Sequence, residues 1–242
     1  MSAIQADFSA QLSRHGLLPN EEQLNQFEVY YRELVSWNEK MNLTAITERE
    51  QVYWKHFFDS ITPAFYVSMD QINTVADIGS GAGFPGIPLK IMFPHLQVTI
   101  VDSLQKRIQF LQHLIESLKL QGVRCIHGRA EDAARKAEFR DRFDLATARA
   151  VAKLQVLNEF CLPFVRKDGW FIAMKGSDPK SELVEAEYSL QQLQGMVESI
   201  HHLQLPYDQS ERHVIVIRKT GLTPKQYPRK AGIPAKQPLA AN

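Results

Sequence analysis

One segment narrows the possible folds more than any other: Val75-Ala76-Asp77-Ile78-Gly79-Ser80-Gly81-Ala82-Gly83-Phe84-Pro85-Gly86. A β-prone run enters a glycine turn and then a helix, whose first amides have no partner within the helix and can receive a ligand. Glycine lets the backbone approach that ligand and take positive φ. Counted from Gly81, the segment also satisfies G-x-G-x-x-G, with an acid, Asp102, 19 residues beyond Gly83. The pattern alone fits either a nicotinamide dinucleotide or S-adenosylmethionine. Charge separates them. Asp77, two residues before the first glycine, is expected at the mouth of the loop, where it repels a pyrophosphate and attracts an ammonium or sulfonium group. The competing role for Asp77 is a cap inside the loop.

The pattern around this segment repeats it. Short β-rich runs at 74–78, 98–101, 124–127, 143–147 and 170–174 alternate with amphipathic stretches, the clearest carrying Ile108, Leu111, Ile115 and Leu118. Strand and helix alternating in this way predict a doubly wound sheet covered on both faces. Two more runs, 196–203 and 213–217, are separated by the turn-rich Pro206-Tyr207-Asp208-Gln209-Ser210, with nothing between them long enough for a crossover helix, so they are expected to pair antiparallel. The expected fold is α/β: a Rossmann-like, seven-stranded class I methyltransferase sheet with its last strand antiparallel. A nicotinamide-binding sheet would end in a sixth parallel strand. Residues 1–70 lack strand patterning and predict a small helical extension. Asn20 with Gln23 suits a capping box, and Leu24, Phe27, Tyr31 and Leu34 fall on one helix face. The methyltransferase domain is placed at 71–220 and a basic, proline-containing tail at 221–242.

Composition matters mainly through its distribution. Net charge is +1, but residues 1–70 hold ten acids and five bases, whereas residues 211–242 hold one acid and seven bases. Such a tail is either a solubilising end or an arm whose lysines and arginines displace counterions from phosphates. Its prolines at 224, 228, 234 and 238 predict an extended arm, with Arg218, Lys219, Lys225, Arg229, Lys230 and Lys236 as candidate RNA contacts. No apolar run has the ~18 residues of a membrane helix, and no signal peptide is evident. Cys125 and Cys161 read as reduced thiols, so a cytoplasmic location is expected. His201 and His202 are adjacent and point to opposite faces of a strand, which argues against a metal site.

Other candidates end predicted strands on the edge shared with the glycine loop. Asp102 follows the second strand, where it can accept ribose hydroxyls or cap the next helix. Ala130 and Glu131 follow the third, where they either read an adenine edge or start another helix. Arg149 ends the fourth strand, as a site residue or as a structural ion pair, and Lys175-Gly176 ends the fifth.

Together these residues resemble the RsmG family, also called glucose-inhibited division protein B. The likeness lies in Asp77 to Leu89, Trp37-Asn38 with Asn42-Leu43-Thr44-Ala45-Ile46, and His56 with Asp59-Ser60. It continues in Thr147-Ala148-Arg149-Ala150-Val151-Ala152, Lys175-Gly176 and Glu211-Arg212-His213. The tail Tyr227-Pro228-Arg229-Lys230-Ala231-Gly232 is similar to the Gram-positive branch. The resemblance implies a 16S rRNA methyltransferase that uses S-adenosylmethionine to methylate N7 of guanine 527, in the usual rRNA numbering, in the decoding region. It implies cofactor contacts at Gly79, Phe84, Ala130, Glu131 and Arg149, to which the glycine turn and the second strand add Gly81 and Asp102. The small ribosomal subunit or an assembly intermediate is the implied partner, and a monomer is expected. Guanine N7 carries a lone pair and no proton, so no general base is expected, and an acid or carbonyl near the six-membered ring should help as the base becomes cationic. Phe84 and Arg149 are candidates to stack on the base, Phe57, Phe58 and Tyr227 weaker ones. The alternatives are an NAD-dependent oxidoreductase and a non-catalytic ribosome-binding factor.

Overall fold

The computed structural model describes residues 2–149, 151–176 and 178–241, so Ala150 of the fourth-strand motif lies outside the described residues. Three elements open the chain: α1 (Ala3–Ser13), α2 (Glu21–Met41) and a helical run at 49–61. This run comprises α3 (Arg49–Gln51), a π-helical stretch (Val52–Phe58) and α4 (Asp59–Ile61). The capping box holds: Asn20 Oδ1 accepts from the Gln23 amide at 2.9 Å and Gln23 Oε1 from the Asn20 amide at 2.8 Å. Helix α1 is an element that sequence periodicity missed.

Strand and helix then alternate through β1 (Thr74–Ile78), α5 (Gly86–Met92), β2 (Gln97–Asp102), α6 (Gln105–Ser117), β3 (Val123–His127) and α7 (Ala130–Ala133). There follow β4 (Phe143–Arg149), α8 (Leu154–Cys161), β5 (Val165–Lys175), α9 (Lys180–Gln192), β6 (Gly195–Gln204) and β7 (Glu211–Lys219). The seven strands lie in the order β3-β2-β1-β4-β5-β7-β6, and β7 runs antiparallel to both neighbours. Central strands β1 and β4 are buried almost throughout, as a parallel sheet covered on both faces requires. Edge strand β6 alternates between half-buried and exposed positions. Because the chain leaves β1 on one side and returns as β4 on the other, the loops after these strands open a crevice at their carboxyl ends. Strand β7 begins at that same edge, since His213 pairs with Lys175.

The helical extension has no separate core. Phe27, Tyr30, Phe57, Phe84, Val75 and Leu145 belong to one apolar cluster on a single face of the sheet. The opposite face packs Ala146, Leu157, Phe164 and Ile217 with two residues from the tail, Tyr227 and Leu239.

The tail therefore differs from the predicted free arm. Arg140 donates to the carbonyls of Thr223, Pro224 and Tyr227, and Arg135 to that of Pro228. Arg229 grips the carboxylate of fully buried Glu159 through its amide at 2.6 Å and its guanidinium at 2.7 Å. A short helix, α10 (Ile233–Lys236), follows Gly232. Prolines without amide donors suit a strap whose carbonyls are satisfied by arginines from the body.

Candidate functional site

The glycine loop is held from below. Asp77 is fully buried, and its Oδ2 accepts from Ser80 Oγ at 2.5 Å and from the Gly86 amide at 2.7 Å. It thus acts as the cap that the sequence left as its alternative role, and it does not stand at the loop mouth. Burial pushes this carboxyl up to about 6, against the effect of its two hydrogen bonds. Gly86 has no room for a side chain, because a Cβ there would lie 2.6 Å from that same oxygen. At Gly83, φ is +103° and a Cβ would meet Tyr30 Oη at 2.6 Å. Tyr30 itself donates to the Ala82 carbonyl at 2.6 Å, fastening the loop to α2.

Gly81 is different. Its φ is +63° and a Cβ there would meet nothing within 4 Å. It faces a cleft of about 400 Å³ lined by Gly79, Gly81, Phe84, Arg149, His56 and Thr44, among others. The size lies within the ~300–1,000 Å³ of small-molecule sites. Open space above a backbone that lacks a side chain is the geometry for close approach of a ligand.

Four of the seven cofactor candidates, Gly79, Gly81, Phe84 and Arg149, therefore share one cleft. Asp102 and Glu131 lie at the same sheet edge with their side chains committed to the protein. Asp102 is buried and accepts from the amides of Gly81 at 3.0 Å and Leu104 at 2.9 Å, with Arg107 at 3.4 Å. Three of its roughly four lone-pair sites are occupied, and it braces the turn after β2 against the glycine loop rather than capping α6, whose N-cap is Leu104 with no side-chain cap bond. Glu131 is buried and accepts from the Gly232 amide of the tail at 2.8 Å. Its neighbour Ala130 opens α7 beside it.

Arg149 joins the sheet to the helical extension. Its guanidinium lies 3.0 Å from Asp59 Oδ2, reaches the Lys55 and His56 carbonyls, and sits 4.7 Å from the centre of the Phe84 ring. His56 stacks on the same ring at 4.6 Å. Phe84, 5% exposed and flanked by these groups and Tyr30, has no free face for a nucleobase, which corrects that expectation. Phe57, Phe58 and Tyr227 are buried as well. Burial and the Arg149 charge drive the His56 imidazole down to about 3, so it is neutral at pH 7. Its Nδ1 lies 3.5 Å from Arg149 and its Nε2 lies 2.8 Å from Thr44 Oγ1. The tautomer that serves both carries its proton on Nε2.

A second cleft, of about 410 Å³, shares His56 and Arg149 with the first and continues over Asp59, Lys175, Glu182 and Arg212. Arg212 stands in the Glu211-Arg212-His213 motif, which by itself does not indicate this placement. The antiparallel start of β7 brings it to this edge, 3.2 Å from Asp59 Oδ1. Glu182 had no sequence signal.

The RNA candidates divide sharply. Lys219 is fully buried, donating to the Leu162 carbonyl and Thr223 Oγ1 at 2.6 Å each, so it has no surface from which to reach a phosphate. Arg229 is committed to Glu159, and Arg218 lies over Trp170 at 4.5 Å. Lys225, Lys230 and Lys236 are exposed. His201 stacks on Tyr66 while His202 pairs with Glu211, and among the described residues no group of His, Cys, Asp or Glu is arranged to hold a metal. No helix among them is long and apolar enough to cross a membrane.

A family model described as "GidB: rRNA small subunit methyltransferase G" matches residues 23–215, spanning both clefts. A protein named ribosomal RNA small subunit methyltransferase G from Halalkalibacterium halodurans is 56% identical over 97% of this chain and 98% of its own length. Its namesake from Bacillus subtilis is 51% identical over 96% and 98%. Among solved structures, the mitomycin 7-O-methyltransferase MmcR superposes with a TM-score of 0.55 at 14% identity, over 78% of this chain and 60% of that one. TYW2 of M. jannaschii, solved in complex with AdoMet, gives 0.50 at 18% identity, over 67% and 74%. These structural likenesses carry the class I methyltransferase fold.

Proposed function

The chain belongs to the GidB family of small-subunit rRNA methyltransferases, and from that premise we propose that it moves a methyl group from S-adenosylmethionine to N7 of a guanine in 16S rRNA. The observation that carries this is the family match itself, because it covers the glycine loop, His56, Arg149 and the start of β7 in one continuous span. The family resemblance points to guanine 527. The cofactor, when bound, supplies a methyl group on a positively charged sulfur. The cleft over Gly79, Gly81 and Phe84 fits it: the backbone is bare at Gly81, and the buried carboxylates Asp77 and Asp102 lie beneath the loop. Arg107 and Arg149 line the same cleft, so the preference for the methyl donor over a diphosphate rests on the family match rather than on net charge.

In the transfer, the N7 lone pair forms the new N–C bond as the C–S bond breaks. The electron pair stays on sulfur and the positive charge passes to the purine. No proton moves, and His56, buried and neutral, keeps its single ring proton and takes up no second one at pH 7. What the residues contribute is alignment, worth about 7–11 kcal/mol when reacting atoms are held in line. Arg149 ties together the strand that ends at the donor cleft and the helical run that borders both clefts, so it acts as a positioning residue. The reaction takes place in the cytoplasm, on the small subunit or its precursor. Exposed Lys225, Lys230 and Lys236 supply phosphate contacts from the docked tail.

Purified protein given radiolabelled donor should label small-subunit RNA, and Gly79→Asp and Arg149→Ala should not. At Gly79 a Cβ would lie 2.9 Å from Val151, so the aspartate distorts the loop. Calorimetry should find S-adenosylhomocysteine binding and NADH not binding. Binding of NADH alone would overturn the proposal in favour of an oxidoreductase, and RNA binding indifferent to the donor would favour a non-catalytic factor.

A further inference from the structure

Resting on the reading above, we propose that the Lys175–Glu182 ion pair in the second cleft reads the Watson–Crick edge of the target guanine. The cleft adjoins the donor cleft across His56 and Arg149, which line both, so a base entering it comes beside the methyl donor. Its charged residues differ in what they have left to offer. Asp59 lies between two guanidinium groups, Arg149 at 3.0 Å and Arg212 at 3.2 Å, which match its charge. Its Oδ1, which makes no hydrogen bond, is buried out of a ligand's reach. Lys175 Nζ donates to the Ala152 carbonyl at 2.9 Å and lies 2.7 Å from Glu182 Oε2. An ammonium has three donors, so one remains. Glu182 Oε2 also accepts from the Leu154 amide at 2.8 Å, which leaves Oε1 for a ligand. The two side chains are 11% and 20% exposed, sunk into the wall yet reachable.

A donor beside an acceptor is complementary to guanine. Away from N7 the base presents O6 as an acceptor, then N1–H and N2–H as donors. The Lys175 ammonium meets O6, and Glu182 Oε1 bridges N1–H and N2–H. Adenine reverses the first two groups, setting an amine against the ammonium and a lone pair against the carboxylate. The pair also acts on the chemistry. Methylation at N7 draws electrons from the ring and makes N1–H a stronger donor, so its bond to Glu182 tightens as charge develops. An interaction stronger in the transition state than in the ground state accelerates the transfer.

The test uses full-length protein and a small-subunit RNA substrate carrying guanosine or inosine at the target position. Inosine keeps N7, O6 and N1–H and lacks only the N2 amine. Single-turnover rates should favour guanosine over inosine by about ten- to hundredfold in the wild type, the range for a hydrogen bond to a charged group. In Glu182→Ala the guanosine rate should fall and the ratio should approach one, while S-adenosylhomocysteine affinity is unchanged, since Glu182 does not line the donor cleft. Glu182→Gln, which keeps an oxygen for the Leu154 amide, should retain the fold and lose most of the discrimination. Lys175→Met should slow both substrates equally, since both carry O6. An unchanged guanosine-to-inosine ratio in Glu182→Ala would overturn the proposal while leaving the methyltransferase reading intact. Wild-type protein that binds the donor and labels neither RNA would overturn both.

Discussion

Replacing Arg229 by alanine should release the C-terminal strap from the body of the protein. The Glu159 carboxylate beneath it is buried, with its side chain only 1% exposed. It is satisfied by the Arg229 amide at 2.6 Å and by the guanidinium at 2.7, 3.0 and 3.1 Å. Removing one member of such a pair leaves an uncompensated buried charge and costs about 3–5 kcal/mol. The protein can avoid that cost by lifting the strap and letting water reach Glu159, so the loss appears as local opening. Amide hydrogen exchange reads it directly: 3–5 kcal/mol corresponds to roughly a 10²–10⁴-fold loss of protection. The loss should centre on Tyr227 and Gly232, whose amides donate to the Pro224 carbonyl and to Glu131. Amides of β1 and β4 should be unaffected. Glu159→Ala with Arg229→Ala should recover part of the protection, because the orphaned charge is gone. Protection in Arg229→Ala within tenfold of the wild type would refute the reasoning.

Other substitutions test the loop and the tail. Gly81→Ala should lose donor affinity while destabilising the fold by no more than the ~1–2 kcal/mol of a left-handed residue, because its methyl group points into the cleft. Gly83→Ala should add overpacking of about 1–3 kcal/mol through its clash with Tyr30 and Ile87, so equal melting points for the two variants would contradict the geometry. Asp77 titrates at about 6 when folded and 3.8 in its ordinary state. The folded protein therefore binds this proton more tightly. The stability it contributes is full below about pH 4 and is lost as pH rises through 6, by about 3 kcal/mol in all. The stability difference between wild type and Asp77→Asn should fall over that window, and a flat difference would show that Asp77 is not buried as described. Replacing Lys225, Lys230 and Lys236 with glutamine should lower the salt slope of RNA binding by about 2–3. An unchanged slope would remove the tail from the RNA interface.

Much of the sheet was legible in the sequence because burial on one or both faces leaves a pattern within a few residues. The apolar runs of β1, β4 and β5, and the short link that forces β6 and β7 to pair, are local facts. The glycine loop was legible for the same reason. What the chain conceals are partnerships across long separations. Glu159 and Arg229 are 70 positions apart, and Glu131 and Gly232 are 101 apart. Nothing near the tail shows that buried acids await it, so a basic, proline-rich composition reads as a free arm. Asp77 misleads in the opposite way: its position beside the loop is clear, but whether the carboxylate turns toward a ligand or into the protein depends on Ser80 and Gly86. The second cleft was hidden because β7 runs backwards, carrying Arg212 to an edge otherwise built from strand carboxyl ends.

Mapping the methylated nucleotide tests the central claim most directly. Small-subunit RNA treated with this protein and S-adenosylmethionine would be cleaved chemically at 7-methylguanine and read by primer extension. The account predicts one new stop, at guanine 527, that disappears with Gly79→Asp. Methyl incorporation at another atom or another base, or none despite donor binding, would contradict it.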